Sequence, residues 1–583
     1  MFCAWSPSIA EFARRLCHST RGGVALIGAL SLTSVVGMGA FAVEATQGYA
    51  AKTSNQRIAD MAALAGALAY NIHSSTAEMT ATAKAVAAAQ GLPASAAAVA
   101  LVTDAATSQQ LVQVTVTTNV PLTLGRVLTT ALSYDVSAVG AATLTTTATV
   151  TPPCIAALSG TPTYGVDLNG GTSISAPGCA VSTNAGVSVG GGARITAQQV
   201  NAGKSVNTNG GATITTTPTA NNIFQNKTNA ASDWMITDSG LKAALCQVNK
   251  INTTIDTDYA DDNDDCISEL ATPPAAGTSD WDLNYNPASN VAAYRTSNNI
   301  YLVPAGTYSI RTLRLAGGIT ATFQGPVNLT IGSISMGGGT TLHIGSGNIS
   351  VGTKIDLSGG AVLDIDVGVG NTVTIGKEAS SGTSISIAGG SKVCFTANCA
   401  APTAAAGKFS AAGEINSNGG STIVFPKAET HIIGGDLDLQ GSSIFGSGTY
   451  VIGGSFTNNT GGTMTGSDVS FVLGGTFTLS GGTSLDLAAP GASSYGLSGI
   501  LVATKSSADT RIGGGSTNKY AGLIYAPKSD LTISGGGAIS THGSACLMMI
   551  VDTLTLSGGG SASTGACSNL STSGTTERVA LFK

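Results

Sequence analysis

Charged side chains make up only 10% of this 583-residue chain, and aromatic residues only 5%. Soluble domains average about 25% charged residues. The formal net charge is −6, which argues against a nucleic-acid partner, because such proteins present a basic face. After Val43 no apolar run is long enough to span a bilayer again, so low charge here does not mean a polytopic membrane protein. Any zinc site lacks its usual signature, since there is no C-x-x-C and no His at ligand spacing from a Cys. The five His form no triad. What fills the chain instead is Gly, 77 residues, with Ser, Thr, Ala and Asn. That composition suits an exported β-rich protein showing polar, uncharged side chains to water.

The one long apolar run is Gly22 to Val43, "GGVALIGALSLTSVVGMGAFAV". It has 22 residues with no charge, Arg14, Arg15 and Arg21 before it and Glu44 after it. About 20 apolar residues span a bilayer, whereas the apolar core of an export signal has roughly 7 to 15. The length predicts a transmembrane anchor, and the flanking arginines predict a cytoplasmic N-terminus with the rest exported. A cleaved signal is the rival reading, because "AFA" at Ala40 to Ala42 fits a small-residue cleavage site. A buried core helix is the third.

Helical character continues without a break past Glu44. Tyr49, Thr53, Gln56, Asp60, Ala63, Ala67 and Tyr70 recur at three- or four-residue spacing and are expected on one face. Ala59, Ala63 and Gly66 would let another backbone approach closely. Either this face packs on a β segment of its own domain or it meets another helical protein. The stretch from Arg21 to Ala67, with Glu44 after Val43, Tyr49 a turn later, Gln56, and "ADMAALAGA" from Ala59 to Ala67, which holds Asp60 and Gly66, resembles the N-terminal domain of the TadG-like family of Flp (Tad) pilus-assembly proteins. It departs at Asn55, where Leu is usual, and Met61, where Ala is usual. "LVQVTVTTNVPLTLGRVLTTALSYDVSAVGAATL" resembles the β segment that ends that domain. The resemblance implies a membrane-anchored assembly protein whose partners are other pilus-assembly or envelope proteins. It implies no cofactor. Pilins carry Glu five residues after their cleavage Gly; here that position is Gly28, so no such processing is expected.

Ten cysteines are present. Cys3 and Cys17 precede the anchor and are expected as cytoplasmic thiols. The other eight fall into four sequence-adjacent pairs: Cys154 with Cys179, Cys246 with Cys266, Cys394 with Cys399, and Cys546 with Cys567. Eight cysteines allow 105 pairings; adjacent pairing is the simplest and is the one expected in an oxidising compartment.

From about residue 300 a period emerges. Short β-type runs end in Gly clusters at Gly317, Gly337, Gly359, Gly389, Gly419, Gly441, Gly461, Gly481, Gly513, Gly535 and Gly558, mostly 20 to 23 residues apart. Such a period with alternating Ile, Leu and Val marks a solenoid, here a parallel β-helix of about eleven coils. Gly170, Gly191 and Gly210 begin three earlier units of the same kind, with Ile174, Ile195 and Ile214 in step. The expected fold is therefore mainly β: a cytoplasmic N-terminus over 1–21, a transmembrane helix over 22–43 and a small α+β domain over 44–150. First β-helix coils follow over 151–220, an excursion with a helix and an acidic loop over 221–299, and the main parallel β-helix over 300–583.

Candidate chemistry is thin. The acidic run Asp256, Asp258, Asp261, Asp262, Asp264 and Asp265 lacks the Gly and Glu of a calcium loop and reads as solvated. Asp364 with Asp366, and Asp436 with Asp438, each share one side of a strand, as polysaccharide-cutting carboxylates would. The two pairs are several coils apart, so no catalytic, cofactor or metal residue is assigned. "AGKS" at Ala202 to Ser205 lacks the first Gly of a phosphate loop, having Gln198 there. The expectation is a structural or assembly protein of a Tad-type pilus in the bacterial inner membrane, with the bulk of the chain outside the cytoplasm. The alternatives are an adhesin binding a cell-surface glycan through Ser, Thr and Asn faces, and a polysaccharide-acting enzyme.

Overall fold

The computed structural model describes residues 23–73, 75–104, 110–123, 126, 129–144, 153–217, 222–252, 270–403, 405–491, 496–542, 546–567, 570 and 581–582. The chain forms two compact units, one of residues 1–150 with 574–583, the other of residues 151–573.

The first unit is α+β. Helix α1 (Gly23–His73) is followed by α2 (Thr76–Ala89) and by strands β1 (Ala97–Thr103), β2 (Gln110–Pro121) and β3 (Ser133–Thr143). Ser75 caps α2 by accepting from the Glu78 amide. The three strands pair antiparallel in sequence order. A fourth strand, Leu581–Phe582, pairs antiparallel with β3. The last residues thus belong to the first unit rather than to the rod, and the solenoid is an insertion between the third and fourth strands of this sheet. A small core of Ala59, Ala62, Ala63 and Ala67 from α1, Met79, Ala83 and Ala87 from α2, and Val112, Val114 and Val116 from β2 holds the unit together.

The second unit is a parallel β-helix of about 18 turns, in a chain that is mainly β with 47% strand and 17% helix. At about 4.8 Å per turn the rod is on the order of 85 Å long. Most coils turn at a Gly pair with positive φ, such as Gly359 (63°) and Gly360 (77°) or Gly389 (62°) and Gly390 (77°). That conformation disfavours any side chain. The pairs stack: the Gly339 amide donates to the Gly359 carbonyl, Gly360 to Gly389, and Gly390 to Gly419, at 2.9–3.1 Å. The Gly period read from the sequence is thus one corner of the solenoid. Ile174, Ile195 and Ile214 are register partners, as their spacing implied.

The order of coils along the rod differs from the order in the sequence. Strand Pro153–Ala157 pairs with strand Leu547–Leu556 (Ile155 opposite Met549), which also pairs with Tyr164–Leu168 (Leu554 opposite Val166). Strand Ser561–Ser563 pairs with Ser173–Thr183 (Ser561 opposite Ser173). The coils of residues 153–216 therefore stack beyond the last coil of the main series, not before its first. The two series meet at a seam, and the solenoid unit both enters, at Pro153, and approaches its end, at Cys567, beside it.

Joining the far end of the short series to the start of the long one takes a strap, residues 225–279, whose described parts, 225–252 and 270–279, bond to and pack on the coils. The Ala231 amide donates to Asn184 Oδ1 (2.9 Å) and Tyr525 donates to Asp233 Oδ2 (2.8 Å). Helix α3 (Ser239–Asn252) packs on strands Gly448–Ile452, Val469–Leu473 and Ile500–Thr504. Beyond the acidic run, which lies outside the described residues, the Ala271 amide donates to Ser410 Oγ (3.4 Å), and Arg311 N donates to the Ser279 carbonyl (2.8 Å). Coils resume at Asp280–Leu283, earlier than the boundary of 299 read from the sequence. That end is closed by an antiparallel pairing of Arg295–Ser297 with Ile300–Val303 and by Trp281 stacked on Tyr294 (5.3 Å) and Phe323 (5.9 Å), which shields an otherwise open β edge.

The scarce aromatics are mostly spent inside. Phe395, Phe409, Phe425, Phe445, Phe471, Phe456 and Phe477 form an unbroken ladder with neighbouring centroids 5.0–5.7 Å apart. His431 lies within it, stacked on Tyr450 at 3.9 Å. Burial pushes His431 down to about 4 against an ordinary 6.5, although its Nε2 lies 2.8 Å from the Pro426 carbonyl. The unfolded chain therefore takes up a proton that the folded ring refuses. The stability from the neutral ring is complete above pH 6.5 and is lost as pH falls towards 4. Over that window this one group is expected to remove about 3 kcal/mol. Thermal unfolding at pH 7 and pH 4.5 checks it: His431→Phe should flatten the difference seen in the native protein, and an unchanged difference would refute the assignment.

Candidate functional site

The residues that carried the family resemblance lie on α1. At 1.5 Å per residue its 51 residues extend about 76 Å, and the two halves have opposite surroundings. In the first half Ile27, Leu30, Leu32, Val35, Val36, Met38 and Phe41 are all exposed, from 55% to 75%. These side chains lie on every side of the helix. The stretch is the one helix among the described residues that is long and apolar enough to cross a membrane. From Glu44 onward the helix is zipped to its own sheet.

Glu44 is 9% exposed; its Oε1 accepts from the Thr123 amide (2.9 Å) and its carbonyl accepts from the Tyr134 hydroxyl (2.8 Å). Gln56 Nε2 donates to the Val139 carbonyl (2.8 Å) and to Asp60 Oδ1 (2.9 Å). Gly66 lies where a Cβ would meet Ala83 and Val112 at 3.3 Å. The buried stripe is thus Glu44, Asn55, Ile58, Ala59, Ala62, Ala63, Gly66 and Ala67. Tyr49 and Thr53, placed on that face by spacing, are exposed instead, Tyr49 at 76%. Of the two readings of this face, packing on the domain's own β segment is the one the geometry realises.

Asn55 was the departure from the family pattern, and the structure gives its reason. It is 2% exposed, and its Nδ2 donates to Thr118 Oγ1 (2.9 Å) and to the Val136 carbonyl (2.8 Å). A buried amide is tolerated because both its protons are placed. Polarity within an apolar repeat was the only signal available for it.

The carboxylate pairs separate. Asp364 is 5% exposed; its Oδ2 lies 2.9 Å from His343 Nδ1 and accepts from the Asn398 amide (3.0 Å), tethering the short loop closed by Cys394–Cys399. Asp438 belongs to a different strand column, Ile415 over Leu437 over Phe456. There it accepts from Gln440 Nε2 (2.6 Å). Burial, then the neighbouring charges of Glu414 and Asp436, raise its pKa above the carboxylate norm. A raised carboxyl is a feature of acid catalysts; the carboxylates acting on it are Glu414 and Asp436. No group of three or more His, Cys, Asp or Glu suited to a metal occurs among the described residues.

Disulfides join Cys154 to Cys179, Cys394 to Cys399 and Cys546 to Cys567, with Cα–Cα distances of 5.6, 5.0 and 4.7 Å. Cys246 is disulfide-bonded too; Cys266, like Cys3 and Cys17, lies outside the described residues. A reading in sequence order puts the first and third at the two ends of the rod. They flank the seam instead, one on each side.

Comparison of the chain with models of protein families, with characterised proteins and with solved structures finds no match.

The close approach of α1 to its sheet is testable. A Cβ on Gly140 would lie 2.5 Å from the Ala59 carbonyl carbon, whereas one on Gly28 would meet nothing within 4 Å. Gly140→Ala should therefore destabilise the first unit by about 1–3 kcal/mol, read as earlier thermal unfolding in detergent. Gly28→Ala should leave it unchanged. Equal behaviour of the two variants would show that the helix does not dock as described.

Proposed function

We propose that the chain is a non-catalytic scaffold or assembly protein of a Tad (Flp) type pilus. In this reading it is anchored in the bacterial inner membrane by the first half of α1, with a cytoplasmic N-terminus and its rod outside the cytoplasm. The observation that carries the anchor is the exposed apolar half of α1. Burying its side chains requires a second apolar phase, and a lipid bilayer matches the length. The disulfides support an oxidising compartment for the rest. The pilus system rests on the resemblance of residues 21–67, where Glu44, Gln56, Asp60 and Gly66 serve the helix–sheet contact.

The rod supports a structural role. Its outward strand positions carry single polar residues, such as Ser335, Asp356, Ser386, Asn416 and Thr457, which stack coil upon coil. Most of its aromatic rings are turned inward; Phe224 and Tyr285 are the rod's exposed large aromatics among the described residues. Sugar platforms need such rings outside, which weakens the glycan-binding reading.

Deleting the gene in a piliated host tests the proposal. Surface pili should disappear while the pilus subunit still accumulates in the membrane. A copy whose residues 1–43 are replaced by a cleavable export signal should fail to restore them. Normal piliation in the deletion strain would contradict the assembly role, and full rescue by the unanchored copy would contradict the anchor.

A further inference from the structure

The seam joins segments almost 400 residues apart in sequence, yet it is as regular as any sequential contact. Ile155, Ala156 and Ala157 lie opposite Met549, Ile550 and Val551; Val166, Asp167 and Leu168 opposite Leu554, Thr555 and Leu556; Ser173, Ile174 and Ser175 opposite Ser561, Ala562 and Ser563. Backbone bonds cross it from Leu158 N to Val551 O (2.9 Å), Asn169 N to Leu556 O (2.9 Å) and Thr564 N to Ser175 O (2.8 Å). None of the three mapped disulfides spans it, because Cys154–Cys179 closes within the short series and Cys394–Cys399 and Cys546–Cys567 close within the long one.

The short series is synthesised first and its partner edge last. Until residues 547–563 emerge, the edge bearing Ile155, Val166, Leu168 and Ile174 is an unpaired parallel β edge, which is a template for another chain. The same edge on a second copy offers the same register and the same side chains. The connection also permits it: even with α3 kept helical, residues 225–279 can reach on the order of 150 Å, longer than the rod. Between Ala231 and Asp233 the strap passes from Asn184 on the short series to Tyr525 on the long one, so it crosses between the two series beside the seam.

We propose that the seam is an exchange joint, at which the coils of residues 153–216 of one copy stack on residues 547–563 of a second copy, giving a reciprocally linked dimer. This rests on the strand register alone and stands whatever system the protein serves.

The test uses the full-length protein in a Cys3→Ser, Cys17→Ser background. Two differently tagged copies are co-expressed, one carrying Ser173→Cys and the other Ser561→Cys, which are register partners with partly exposed side chains. A short bismaleimide is then added. Exchange predicts a covalent product containing both tags. Replacing Ser561→Cys by Ser442→Cys, on the same face several coils away, should abolish it and thereby exclude side-by-side association. Both substitutions in one chain report the closed form as an intrachain product. Crosslinking confined to that single-chain variant, with no two-tag product, would overturn the proposal.

Discussion

A coil of a parallel β-helix has unpaired backbone donors and acceptors on both its edges, and these must be satisfied by the coils above and below. The rest of this structure depends on that demand. It explains the Gly pairs, whose positive φ turns each coil sharply enough for the next to lie in register. It explains the aromatic hairpin that closes the rod at Trp281. It also explains the seam: the coils of residues 153–216 would leave an open edge at Ile155 and Val166, and the last coil would leave another at Met549 and Leu554. Pairing one with the other removes both at once, and the strap is the length of chain that this solution requires.

The same demand accounts for what could be read from the sequence. Each Gly pair needs its own left-handed corner, so the period stands in the sequence as spacing, and the stacked Ile174, Ile195 and Ile214 are visible as a second, parallel count. The Cys154–Cys179 and Cys546–Cys567 disulfides were legible because a coil brings residues about one turn apart into contact, and Cys394–Cys399 because it closes a short local loop. The order of coils was not legible. A coil specifies only that something of the same period must lie on it, and the edge of Leu554 and Leu556 accepts Val166 and Leu168 as readily as it would accept a following coil. The strand Leu581–Phe582 was hidden for a similar reason, since two paired residues carry no period. In the helix, spacing alone put Tyr49 on the buried face; the deciding contacts of Glu44 with Thr123 and of Gln56 with Val139 are tertiary.

The two units divide the labour. Helix α1 is apolar and exposed in its first half and, through Glu44, Asn55 and Gln56, fixes its second half to the sheet by side-chain bonds that cannot form if the helix rotates. The sheet then accepts Leu581–Phe582 as its fourth strand, so both segments that flank the solenoid in sequence belong to the first unit. A rod with inward rings, outward Ser, Thr, Asn and Asp and disulfide-stapled edges supports the structural role proposed above.

Amide hydrogen exchange across the seam is the most direct test of this account. The Leu158 and Asn169 amides, which donate across it, should be protected to the same degree as Ser358 and Ser480, which donate between consecutive coils of the long series. Rapid exchange at Leu158 and Asn169 beside strong protection at Ser358 and Ser480 would mean that the two series do not form one continuous stack.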